Sequence, residues 1–203
     1  MSFVRTSLLL IAAFTAACST QAHPPAKPSG NWCQTAIAQL TVAQRALYEK
    51  DKAQGIDDSW MLTRPGGPAS EADIQAAETR LGTHFDEQYK QWLRHANGWE
   101  SFSGSDDLFS LGQVARDSIE ARNMQVFIQS AEFTPQQLGI TSFDQLIVVG
   151  GSLSGNAYFI AVQEAPDSNT SSMPVYTFSS GDFTRYDNFK TFIQKEVEAL
   201  EEQ

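Results

Sequence analysis

Two short apolar runs, Gln145–Gly150 (QLIVVG) and Ala157–Gln163 (AYFIAVQ), lie close together and are joined by the polar segment Ser152–Asn156 (SLSGN). Each is rich in β-branched and aromatic residues and bounded by glycine or polar clusters. Together they predict an antiparallel hairpin with a polar tip. Pro174–Phe178 reads as a third strand, and Phe183–Tyr186 as a fourth. The chain then returns to helical spacing, with Phe189, Phe192, Ile193, Val197 and Leu200 on one face of a closing amphipathic helix.

The first half has a different period. Ile37, Leu40, Leu47 and Tyr48 recur at helical spacing from Trp32 to about Gln54, where Gly55 ends the segment. Pro65-Gly66-Gly67-Pro68 is a turn series. Ser70 and Asp73 then form a capping-box pair that opens a helix carrying Ile74, Ala77 and Leu81, and Gly82 suits its left-handed C-terminal position. Asp86 caps another helix bearing Tyr89, Trp92, Leu93 and Ala96, which Asn97-Gly98 terminates. Leu108–Leu111 is expected as a short strand, Val114–Gln129 as a helix or loop, and Gln136–Gly139 as one turn. Helices first, antiparallel strands after and one helix to finish define an α+β class. It is a mostly antiparallel sheet packed against several helices, with an extra helix at the N-terminus.

The N-terminus carries a separate message. Arg5 supplies a positive charge, Leu8–Phe14 an uncharged apolar core, and Thr15-Ala16-Ala17 small residues before Cys18. The apolar run is too short to span a bilayer and reads as a secretory signal. Small residues directly before the cysteine resemble the lipobox of bacterial lipoproteins. That resemblance implies cleavage before Cys18 and its conversion to a lipid-bearing N-terminus. The alternative is an ordinary signal cleaved after Ala22. Ser19 after the cysteine implies outer-membrane sorting, so the expected location is the bacterial envelope, facing the periplasm. The proline-rich Ser19–Gly30 reads as an extended linker. The organisation is therefore a signal peptide (1–17), a lipidated cysteine and linker (18–31), a helical extension (32–68) and the main domain (69–203). Cys33, beside Trp32, is expected to be a small buried hydrophobe; a Cys18–Cys33 bridge would require Cys18 to be unlipidated.

Charge and motif content restrict the chemistry. The chain carries 24 acidic and 14 basic residues, a net −10, which disfavours nucleic acid and anionic headgroups and favours a basic partner. Contact with a membrane is expected through the lipid alone. Gly151-Ser152-Leu153-Ser154-Gly155 matches the G-x-S-x-G nucleophile elbow, with Ser154 as the hydrolase alternative. That elbow requires a helix after the serine and a histidine downstream. Strand follows instead, and no histidine occurs after His95. His23, His84 and His95 lack zinc-ligand spacing, with His95 expected to be exposed at a helix end. Asp106-Asp107 lacks the ligand alternation of a calcium loop and reads as a solvated turn. No catalytic residue, metal or cofactor is assigned. Trp99, in a polar segment beside Glu100 and Phe102, reads as a core-edge residue or, alternatively, as a candidate partner-binding residue together with Asp106 and Asp107.

From Glu78 through Leu81-Gly82, Phe85-Asp86, Tyr89-Lys90, Trp92-Leu93 and Asn97-Gly98, the chain resembles the SUKH superfamily, the Smi/Knr-type domain. Leu108–Leu111, Gly155–Phe159, Pro174–Tyr176 and Phe189–Ile193 fit the same pattern in order, covering roughly residues 69 to 200. Asp86 stands where that pattern usually has proline, and Asn156 where aspartate is frequent, which adds Asn156 to the candidate partner-binding residues. The resemblance implies an α+β binding module without catalytic machinery. Its bacterial members are implicated as immunity proteins that neutralise toxins, its fungal ones as regulators of cell-wall assembly. It therefore implies a protein partner, either a toxin acting in the periplasm or a component of wall assembly.

Overall fold

The computed structural model describes residues 31–152 and 158–203. The expectations for the signal peptide, Cys18, the linker, Ser154 and Asn156 lie outside those residues. The class is α+β, as the sequence pattern indicates. Six strands form one antiparallel sheet in the order of the chain: β1 (Trp99–Ser103), β2 (Asp106–Leu108), β3 (Leu146–Ser152), β4 (Phe159–Gln163), β5 (Val175–Ser179) and β6 (Asp182–Tyr186). Every neighbour is also the next strand in sequence, so each connection is a hairpin or a return through helices on one edge.

The described residues form six α-helices. They are α1 (Trp32–Ala53), α2 (Glu71–Leu81), α3 (Glu87–Leu93), α4 (Ile119–Ser130), α5 (Pro135–Leu138) and α6 (Phe189–Glu201). Strand alternation shows which face each covers. Val175 pairs with Tyr186, whose ring meets Phe192 of α6. Phe178, three residues along and therefore on the opposite face, meets Phe127 of α4. The sheet is thus sandwiched between α6, with α1 and α3 packed beside it, and α4. Its central strands are buried on both faces, which is why they lack an apolar–polar alternation.

Local chemistry sets the helix ends. Ser70 and Asp73 form a reciprocal capping box at α2, and Gly82 closes it at φ 62°. Asp86 accepts from the backbone N–H groups of Gln88 and Tyr89 at 2.9 and 3.2 Å. The β5–β6 turn places Ser180 and Gly181 at φ 52° and 79°, the doubly left-handed form that matches strand twist. Trp32, Trp92, Tyr89 and Phe189 pack their rings where α1, α3 and α6 begin or end. Lys50 near the end of α1 reaches the carbonyl of Gln203, so α1 and α6 run parallel.

Three expectations are corrected. Trp99–Ser103 forms an edge strand that the sequence pattern did not reveal. Its partner is Asp106–Leu108 rather than Leu108–Leu111, so the two aspartates lie in a strand and not in a solvated turn. His95 is half-buried, bonded to the Asn31 carboxamide and to the Gln91 carbonyl, instead of exposed. Cys33 is fully buried, as its place beside Trp32 suggested.

Candidate functional site

The β1–β2 hairpin is built from residues with little intrinsic strand preference (WESFS and DDL), and other parts of the chain hold it in place. Along the outer edge of β1, the Gln44 carboxamide donates to the carbonyls of Ser101 and Phe102 at 2.8 and 3.3 Å. The Thr63 hydroxyl donates to the carbonyl of Glu100. The Gly66 N–H bonds the carbonyl of Gly98, just before the strand, at 2.7 Å. A Cβ at Gly66 would lie 2.5 Å from the Asn97 carbonyl oxygen, so only glycine fits this approach. Gly98 is equally constrained, at φ 90° with a Cβ position 2.8 Å from the Ser110 nitrogen.

Between the 63–66 segment, the hairpin and residues 109–113 lies an open cleft of about 680 Å³. Trp99 forms its floor. Its ring is 2% exposed, and its indole N–H donates to the Thr63 hydroxyl at 3.0 Å. The candidate binding tryptophan is therefore a core residue whose edge lines a cleft, and it presents no open ring face. Asp107 lies on the same side, its carboxylate accepting from the Ser101 N–H at 2.6 Å, where Ser101 is held at φ 53°. Asn97 accepts from the Leu111 N–H at 2.8 Å, Gln113 from Ser110, and Arg64 and Glu100 are exposed at the rim. The lining offers hydrogen-bonding groups of both senses and no histidine or cysteine. Such a surface suits recognition of polar polypeptide groups.

Asp106 turns the other way. Adjacent strand residues point to opposite faces, and Asp106 faces α6 near Glu196. Ser103, directly across the hairpin from Asp106, donates to the Glu196 carboxylate at 2.6 Å. Burial, together with the charges of Glu196 and Asp107, pushes the Asp106 carboxyl up to about 7. Burial also raises Glu196 and, with the charges of Glu196 and Asp106 added, Tyr158. The two aspartates of one dipeptide thus serve two different places. The buried group around Asp106 was not legible in the sequence, because Glu196 lies ninety residues away.

The remaining candidates need less space. Gly151 and Ser152 lie at the end of β3, and the next described element is strand β4 rather than a helix. Among the described residues, no group of three or more His, Cys, Asp or Glu side chains could hold a metal. His84 lies 4.0 Å from Glu78, whose carboxylate accepts from the Phe85 N–H.

The model of the SMI1 / KNR4 family (SUKH-1) fits residues 68–195. No curated protein matches the chain.

Proposed function

This chain belongs to the SMI1 / KNR4 family (SUKH-1), and on that footing we propose that it is an envelope-tethered binding module, an immunity protein that neutralises a toxin acting in the periplasm. Family membership is the observation that carries the reading. The polar cleft beside β1 and the acidic surface supply the chemistry of contact: hydrogen-bonding groups in a fixed frame, and a net charge of −10 that attracts a basic partner. In this reading the module acts by occlusion and needs no nucleophile.

The tether is proposed from Cys18. A lipid there would keep the domain where an incoming toxin arrives and raise its local concentration without any new contact. The start of α1 lies beside His95 and Gln91. Gln44, which holds the cleft-bearing hairpin, lies roughly 18 Å further along that helix at 1.5 Å per residue.

Two experiments test the reading. Labelling cells with radioactive palmitate should mark the protein, and Cys18→Ser should abolish the label; an unlabelled wild type removes the tether. Deleting the gene and challenging the host with a toxin-delivering neighbour should lower survival. Survival equal to the parent strain's removes the immunity role.

A further inference from the structure

The sheet has two edges, treated differently. At β1 the carbonyls of Glu100, Ser101 and Phe102 are occupied by side chains of Thr63 and Gln44. At β6 nothing comparable covers the backbone among the described residues. Ser179 pairs with Asp182 across a two-residue turn, so alternation points the N–H and C=O groups of Phe183 and Arg185 away from β5. Asp182 caps one of these four groups, accepting from the Phe183 N–H at 2.7 Å. Asp182, Thr184 and Arg185 are exposed.

We propose that β6 is a homotypic docking edge, on which β6 of a second copy of this chain adds antiparallel about a two-fold axis through Thr184. The side-chain order selects this occupant and register. Centring the axis on Thr184 sets each Arg185 opposite Phe183 of the other copy, and both outward pairs exchange backbone hydrogen bonds once the Asp182 carboxylate swings off the Phe183 N–H. It also sets Asp182 opposite Tyr186. No like charges face each other, and a guanidinium lies beside an aromatic ring. Centring on Arg185 would oppose two guanidinium groups, and centring on Phe183 would run each Arg185 into the turn glycine Gly181. The edge is short and each copy carries −10, so the contact is weak in dilute solution. It strengthens with salt, which screens the repulsion, and with confinement to a surface.

The register is testable by cysteine cross-linking in the full chain. Thr184 meets its own counterpart in a non-hydrogen-bonded pair, with Cβ atoms about 4.5–5.5 Å apart, close to disulfide reach. Asp182 lies several residues from its counterpart. Under copper-phenanthroline, Thr184→Cys should give covalent dimer at least about tenfold faster than Asp182→Cys, since only the first pair lies within bonding distance. The parent chain sets the background. Adding Arg185→Pro removes an outward N–H and leaves the β5 ladder intact, and it should return Thr184→Cys to the rate of Asp182→Cys. Raising the salt concentration should speed the Thr184→Cys reaction. Equal rates for the two cysteine variants, or no covalent dimer above the parent background, overturn the proposal.

Discussion

Replacing Asp106 with asparagine should stabilise this protein at neutral pH and leave it unchanged in acid. Asparagine keeps the shape of the side chain and removes the charge that burial, Glu196 and Asp107 all oppose. A carboxyl moved from an ordinary 3.8 to about 7 carries at most roughly 4 kcal/mol, at 1.36 kcal/mol per pH unit. Solvent on its open side and the coupling to Glu196 and Asp107 reduce that to about 1–2 kcal/mol. The sign follows from linkage. The folded-state value lies above the unfolded one, so the folded state binds the proton more tightly. Its stability is fully present below about pH 4 and is lost as the pH rises through about 7. Urea unfolding of wild type and Asp106→Asn, followed by circular dichroism from pH 4 to pH 8, reads the difference directly. The two curves should coincide near pH 4, and the variant should lead by about 1–2 kcal/mol at pH 8. A difference that stays constant with pH, or a variant weaker at pH 8, refutes the buried-carboxyl account.

Three further outcomes rest on separate contacts. Gly98→Ala should cost about 2–4 kcal/mol, because it adds a Cβ against the Ser110 backbone at a left-handed position. Gly82→Ala, also left-handed but with open space around its Cβ, should cost about 1 kcal/mol, and thermal melts of the pair separate crowding from strain. Gln44→Ala should lose about 1–3 kcal/mol in urea titrations, since it leaves two strand carbonyls without their donor. Cys33, its thiol pushed up to about 12 by burial, should resist a thiol reagent in the folded protein and react at once in denaturant.

The helix boundaries were legible because their signals are local. Ser70 and Asp73, Gly82, Asp86 and Gly55 each act within one turn of their own position, and the closing stripe from Phe189 to Leu200 needs only its own periodicity. Strands β3 to β6 were legible for a similar reason, through β-branched and aromatic runs broken by turns. Strand β1 was not. Trp99–Ser103 contains one glutamate, two serines and a bulge that disrupts alternation, and its edge is completed by Gln44 and Thr63 from far upstream. The same non-local assembly hid the division of Asp106 from Asp107. A dipeptide gives no sign that one carboxylate will face a helix starting at Phe189 while the other lines a cleft.

The parallel docking of α1 on α6 has a consequence for how the chain acquires its structure. The first described helix finds its main partner in the last one, so their contact closes a loop spanning nearly the whole described domain. During synthesis, α1 leaves the ribosome long before residues 189–201 exist and must wait with Leu40 and Cys33 unburied. Contacts this distant in sequence form late and slowly. The domain is thus held back from its native state until residues 189–201 have been made and α6 can close over α1.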